Sequence, residues 1–199
     1  MTVPWRLVCR TVSTRPYAGR RSRMTGTRSR VPGRRSTLST MTTDDRTPPP
    51  MTVRRVTADD HDEWSALYAG YRAFYRLPDD PAAVATTWRW VVGEQHGLTG
   101  LVAVGHDGSL LGLANVRAFA RPSNGTVGLY LDDLFTGPAA RRSGVGAALL
   151  RAVADLAAQR GASVVRWITA TDNTTARALY DEVAAATPWV TYDMVPQRH

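Results

Sequence analysis

The chain has 199 residues, 43% hydrophobic and 21% charged, which suits one soluble globular domain with a substantial core. No run of about 18 apolar residues occurs to span a membrane, and the lone Cys9 excludes an intramolecular disulfide and a cysteine-based zinc site. The net charge of +8 would point to nucleic acid if it were spread over the fold, but residues 1–50 hold eleven arginines against Asp44 and Asp45, and the rest holds 14 arginines against 15 acidic residues. The basic balance belongs to the first quarter of the chain.

Residues 1–50 lack sustained apolar periodicity and are rich in Arg, Ser, Thr, Pro and Gly. They are expected to form a disordered Arg-rich extension, because they bury too little apolar surface to offset the entropy of ordering. A transit peptide fits the arginine-rich, acid-poor composition but lacks a clear amphipathic helix. A nucleic-acid tail fits the charge but lacks interleaved aromatics. A non-functional extension is favoured, since Met41 and Met51 offer later in-frame starts, with "TPPP" at 47–50 as a stiff boundary. A single domain is then expected over 51–199.

"MTVRRVT" at 51–57 reads as an opening strand. Trp64, Leu67, Tyr68, Tyr71 and Tyr75 share one helical face after an Asp59 or Asp60 cap, and Asp80 with Pro81 opens a second helix through Trp88 and Val92. "GLVAVGHD" and "GSLLGLANVRAFARP" read as a hairpin around Asp107 and Gly108, and "GTVGLYLDDLFT" as a further strand after the turn at Asn124 and Gly125. Val145, Leu149, Val153 and Leu156 mark a long helix that Gly161 ends. "SVVRWITA" reads as a strand, "DNTTARALYDEVA" as a short capped helix and "PWVTYDMV" as a terminal strand. The order is that of a mixed α/β domain.

The stretch "AARRSGVG" at 139–146 enters the long helix directly. A helix N-terminus presents unpaired N–H groups and the positive end of the helix dipole, so phosphate is its natural ligand. Gly144 and Gly146 remove side chains where a backbone approaches closely, and Arg141 and Arg142 add charge. A dinucleotide fingerprint needs a third glycine where Leu149 stands, and a nucleotide P-loop needs a lysine, which this chain lacks. A pyrophosphate ligand without a required metal remains, with coenzyme A the leading candidate. His61, His96, His106 and His199 have no metal-ligand spacing, so no metal is expected.

"RRSGVG" at 141–146 matches the Q/R-x-x-G-x-G/A signature of the GNAT superfamily of acyl-CoA-dependent N-acyltransferases, and its surroundings, "DLFTGPAARRSGVGAALL", resemble the family's strand, proline turn, loop and helix. Asn173, Ala176, Leu179 and Tyr180 match the recurring N-x-x-A-x-x-L-Y of a later helix. The resemblance covers about residues 51–195 and is densest from 128 to 192. Arg142 stands where the family often has glycine, Thr136 replaces a usual valine, and the common Gly-Phe pair after the second motif helix is missing. The resemblance implies the GNAT fold, a central mixed but mostly antiparallel sheet flanked by about four helices. It also implies an acetyl-CoA-dependent N-acetyltransferase working by direct attack in a ternary complex. The alternative is a non-catalytic CoA-binding regulatory module on the same fold. The "W-I-T" strand and the acidic pair look most like the diamine and histone-tail branch. The expected partner is therefore a polyamine-like small molecule or a peptide amine, in the cytoplasm. A homodimer is left open, and neither membrane nor nucleic acid is expected.

Acetylating an amine requires a neutral amine, a stabilised oxyanion and a protonated leaving thiolate. An alkyl ammonium has a pKa near 10.4, so roughly one molecule in a few thousand is the nucleophile at pH 7. Asp132 and Asp133 in "LDDLF" precede two large apolar residues, as in polyamine acetyltransferases of the superfamily, and that similarity makes Asp132 the candidate base, through water. Successive strand residues face opposite ways, so only one of the pair is expected to reach the cleft. The alternative is that they attract a cationic substrate or cap a bulge. The resemblance assigns Tyr180 as the acid that protonates the thiolate, or else as a packing residue. It places Leu134, Phe135, Thr136, Arg141, Arg142, Ser143, Gly144, Val145, Gly146, Ala147 and Asn173 around the cofactor. The backbone N–H of Phe135 or Thr136 would serve the oxyanion, and Asn173 would bond the pantetheine arm or cap its helix. Most of Trp64, Tyr68, Tyr71, Tyr75, Trp88 and Trp90 are expected in the core or at its rim. Some, with Asp79 and Asp80, would shape the amine pocket.

Overall fold

The computed structural model describes residues 51–197, so the extension expected over 1–50 lies outside the described residues. The elements are β1 (Thr52–Arg55), α1 (His61–Phe74), α2 (Pro81–Val92), β2 (Leu98–Val104), β3 (Leu110–Arg121), β4 (Thr126–Thr136), α3 (Val145–Gln159), β5 (Val165–Arg166) and α4 (Thr174–Val183). The sheet runs β1-β2-β3-β4-β5, antiparallel except for the β4–β5 pair.

Local chemistry sets these boundaries. Asp60 closes the turn before α1 by accepting from the Thr57 N–H at 2.7 Å, and Arg54 clamps its two oxygens at 2.7 and 2.8 Å. Those bonds hold the Asp60 carboxyl down at about 2. Asp80 caps α2 by accepting from the Ala83 N–H at 2.9 Å, with Pro81 in the first turn. Gly161, at φ +65°, ends α3 in the left-handed region that glycine adopts without strain.

Each sheet face carries its own core. Leu129, Leu131, Val116 and Ala114 pack against Val145, Leu149 and Val153 of α3, while Leu113 and Phe135 pack against Trp64, Tyr68, Trp88 and Val91 of α1 and α2. Trp64 is fully buried and stacks on Tyr68 at 4.8 Å. That Leu131 and Phe135 fall on opposite faces breaks the two-residue period of a strand. The break is a β-bulge: Asn115 pairs with Asp133 and Val116 with Leu131, so Asp132 is the extra residue.

The C-terminal part departs from the sequence reading. β5 covers two residues, not the eight of "SVVRWITA", because it pairs with β4 only at Leu129–Val165 and Tyr130–Arg166 and then diverges. "PWVTYDMV" forms no strand, and Trp189, Val190, Tyr192, Met194 and Val195 are exposed. Apolar alternation yields a strand only where a ladder partner accepts its N–H and C=O groups, and among the described residues this segment has none.

Candidate active site

The divergence of β5 from β4 opens a cavity of about 580 Å³. Its walls include Asp132 and Leu134 of β4, Arg117 of β3, Trp167–Ala170 beyond β5, Tyr71 and Tyr75 from α1, Tyr180 of α4, and Thr191 with Asp193 from the C-terminal segment.

The bulge corrects the expectation that the two aspartates face opposite ways. Asn115 Nδ2 donates to Asp133 Oδ2 at 2.9 Å, and Arg117 Nε donates to Asp132 Oδ1 at 3.1 Å. Asn115 and Arg117 alternate with Ala114 and Val116, which face α3, so both carboxylates lie on the α1 side. They differ in depth. Asp132 lines the cavity, whereas Asp133 sits beneath it with Asn115 and the Tyr71 hydroxyl. Burial raises the Asp133 carboxyl above the ordinary range against those two hydrogen bonds. Burial, helped by the Asp133 charge, likewise raises Asp132 against Arg117. Asp132 Oδ2 is buried and has no hydrogen-bond partner among the described residues, although the Arg117 Nε lies 3.0 Å away as an ion-pair neighbour.

Tyr180 packs edge-on against Trp167 with ring centroids 5.3 Å apart. Burial, reinforced by Tyr75, pushes its phenol up to about 12. Asn173 caps α4, accepting from the Ala176 N–H at 3.4 Å while its Nδ2 donates to Thr169 Oγ1 at 3.1 Å, so it positions a cavity-wall residue as well as the helix.

The backbone N–H groups of β4 are divided by register. Gly137 N–H donates to Leu111 O at 2.9 Å, so by strand alternation Phe135 N–H also points to β3, whereas Leu134 and Thr136 N–H point to the open edge. Phe135 therefore leaves the expected cofactor set. Its ring is 7% exposed, beneath Tyr71 and α1.

At the loop, Pro138–Ala140 form a short 3-10 turn, Ser143 Oγ donates to Ala140 O at 2.6 Å, and Gly144 precedes α3 at φ +83°. No side chain caps α3 and its first turn holds no acidic residue, so the amides of Val145, Gly146 and Ala147 are left to a ligand or to water. The Val145 side chain is buried in the core, so only its amide is on offer. A Cβ on Gly144 would meet nothing within 4 Å, whereas one on Gly146 would meet Leu179 Cδ2 at 3.1 Å. Gly144 is thus favoured by its backbone angle, and Gly146 by its close approach to Leu179 of α4. This uncapped cradle beside the open β4 edge fits a pyrophosphate with a pantetheine arm. Arg141 and Arg142 are both exposed.

Arg142 adopts φ +64°, a conformation that favours glycine. Arg142→Gly is expected to leave thermal stability unchanged or raise it by up to about 1 kcal/mol. Denaturant melts with and without CoA check this, since a weaker CoA-induced shift would show that the Arg142 charge holds the ligand.

Several aromatics resolve into roles. Trp64, Tyr68 and Trp88 are core, while Tyr71 and Tyr75 reach the cavity. Asp79 and Asp80 are exposed away from it, contrary to the expectation that they shape the amine pocket. Arg117 and Tyr130 belong to no motif of the sequence, and Trp167 enters only as part of the "W-I-T" strand. Arg117 and Tyr130 meet only through the β3–β4 register, which sequence periodicity does not supply.

The family model described as "Acetyltransferase (GNAT) family" matches residues 64–184. The D-amino-acid N-acetyltransferase HPA3 of Saccharomyces cerevisiae is 28% identical over 141 residues, 70% of this chain and 88% of the yeast protein. The uncharacterized N-acetyltransferase YhfO of Bacillus subtilis is 31% identical over 136 residues, 66% of this chain and 87% of its own length. In fold, the chain is similar to the ribosomal-protein-alanine N-acetyltransferase from Brucella melitensis biovar Abortus 2308 (TM-score 0.64, 23% identity, 73% of this chain and 99% of the other). It is also similar to AAC(6')-Iy in complex with the bisubstrate analog CoA-S-monomethyl-acetylneamine (TM-score 0.63, 19% identity, 74% and 99%). The chain belongs to the GNAT acetyltransferase family, and it is an acetyl-CoA-dependent N-acetyltransferase.

Proposed function

We propose that the protein moves the acetyl group of acetyl-CoA directly to a primary amine of a polyamine-like small molecule or a peptide, both substrates being bound together. The observation that carries this reading is the Asp132 carboxylate, whose buried Oδ2 accepts no hydrogen bond among the described residues beside its ion-pair contact with Arg117, in a cavity that also holds Tyr180. The α3 amides and the open β4 edge fit the pyrophosphate and pantetheine parts of the co-substrate, which brings an activated acetyl thioester. Asp132 accepts the proton that the attacking amine must lose, directly or through water. The Leu134 or Thr136 N–H steadies the charge that grows on the acetyl oxygen as the C–N bond forms. Tyr180 donates toward the sulfur as the C–S bond breaks. HPA3 is named for an amino-acid acceptor, an amine small enough for this cavity. A cytoplasmic setting belongs to the same proposal. No helix among the described residues is long and apolar enough to cross a membrane.

The test is a titration with acetyl-CoA followed by thiol release over polyamines, amino acids, aminoglycosides and basic peptides. Saturable binding with amine-dependent thiol release is expected. Binding with no thiol release from any acceptor would replace the enzyme reading with a CoA-binding regulatory module.

A further inference from the structure

Resting on that reading of the cavity, we infer that Arg117 selects the acceptor: the amine acetylated here is carried beside a carboxylate, and the Arg117 guanidinium holds that carboxylate.

Arg117 bonds Asp132 through Nε alone, and among the described residues Nη1 and Nη2 have no hydrogen-bond partner. Its guanidinium lies over the Tyr130 ring with Cζ 4.9 Å from the centroid, a cation–π contact that adds a second hold on the group. The side chain is 42% exposed and lines the cavity. A planar guanidinium anchored at Nε and stacked on an aromatic face presents its outer edge as a two-donor fork, which matches a carboxylate. Arg166 adds a second positive charge on this side of the sheet, its Cζ 5.4 Å from the centroid of Phe119. Phe119 in turn packs edge-on against Tyr130.

The proton balance favours the same acceptor. Before reaction, Asp132 and Arg117 neutralise each other at 3.0 Å. When Asp132 takes the proton of the amine, Arg117 loses its anionic partner, and a second anion facing the free edge of the guanidinium restores a charge-assisted pairing there. A carboxylate on the acceptor supplies that anion. The second ammonium of a polyamine would instead meet the guanidinium, so within the same acyl-transfer reading this inference puts a free amino acid in place of the polyamine or peptide acceptor. Because Nε and the Asp132 oxygens are in contact, the acceptor's amine and carboxylate sit on the same or adjacent carbons. α-Amino and β-amino acids are the class that fits.

Acetyl transfer is therefore compared for matched pairs: phenylalanine, as either enantiomer, against phenethylamine, and β-alanine against ethylamine. The wild-type protein is expected to favour the carboxylate-bearing member of at least one pair by about tenfold or more in kcat/KM, the worth of a charge-assisted hydrogen-bonded contact. Arg117→Gln should remove the preference by raising KM for the acid relative to KM for the amine lacking a carboxylate, both members being compared at the same pH on the alkaline side of the acid limb, because the loss of the Arg117 contact to Asp132 slows the two alike. Arg117→Lys should restore part of it. A wild-type protein that acetylates amines with no preference in any pair overturns the inference and leaves the acyl-transfer reading standing. A Gln variant that slows both members of a pair equally and so keeps the preference, with an unchanged melting temperature, also overturns it and makes Arg117 only a support for Asp132. An absence of thiol release with every acceptor overturns both readings.

Discussion

Tyr180→Phe is expected to lower kcat about tenfold to a hundredfold while the KM for acetyl-CoA stays within about twofold, the loss lying at the low end for general acid catalysis. The physical reason lies in two acidities. Burial pushes the Tyr180 phenol up to about 12, whereas a departing alkyl thiolate has a pKa near 8.5, so full proton transfer from phenol to thiolate runs uphill by roughly three orders of magnitude. Tyr180 is therefore a hydrogen-bond donor to sulfur whose charge is growing, with the proton following as solvent allows. The same raised value keeps the phenol protonated across pH 6–9, so the ratio of wild-type to variant rates should be flat over that range. A ratio that collapses toward one at high pH would mean that the hydroxyl ionises in the working range. Phenylalanine keeps the edge-on contact with Trp167, so stability should change by no more than about 0.5 kcal/mol. Unchanged turnover would reduce Tyr180 to a packing residue.

Much of the fold is written in short-range patterns. The helical face from Trp64 to Tyr75, the Asp80 cap with Pro81, the turns at Gly108 and Gly125 and the loop entering α3 at Gly144 all depend on residues a few positions apart, and each is in place. What the pattern does not carry is pairing. The bulge at Asp132 exists because β4 has one more residue than β3 between the pairs Val116–Leu131 and Asn115–Asp133, and no residue type in "LDDLF" announces it. Yet the bulge turns Asp132 and Asp133 to one side, commits the Phe135 amide to β3 and frees those of Leu134 and Thr136. The same holds for the C-terminal segment, whose strand-like alternation is real but meets no ladder. The cavity exists because β5 leaves β4 just past Tyr130, so the site is a consequence of broken pairing. Its family was legible in "RRSGVG" and in the motif ending at Tyr180, because those residues meet their requirements locally. Arg117 was not legible, since its meaning depends on Tyr130 across the ladder and Asp132 across the bulge.

Asp132→Asn tests the other half of the site and is expected to lower kcat/KM about 10²- to 10³-fold near neutral pH. A base works in its ionised form, so the wild-type rate should fall on the acid side as pH drops through the Asp132 pKa. That limb lies above the ordinary carboxylate range because burial outweighs the Arg117 charge and hydrogen bond. Arg117→Gln removes both lowering influences, so the acid limb should move to higher pH in that variant and vanish in Asp132→Asn. Persistence of the limb in Asp132→Asn would point to Asp133, although its Oδ2 is already engaged by Asn115. Stability gives an independent reading whose sign is fixed by linkage. A carboxyl with a raised folded-state pKa binds its proton more tightly when folded, so it destabilises the fold increasingly as pH rises from the unfolded value, near 3.9, through the folded value, and fully above it. Asn imitates the protonated form, so Asp132→Asn should be at least as stable as wild type at pH 7, by denaturant melts, and should lose any advantage below about pH 4. A carboxylate that served only to pair with Arg117 would give the opposite result, a destabilised variant at pH 7. A variant that is much slower and no less stable is the signature of a group held against its own ionisation for the sake of proton transfer.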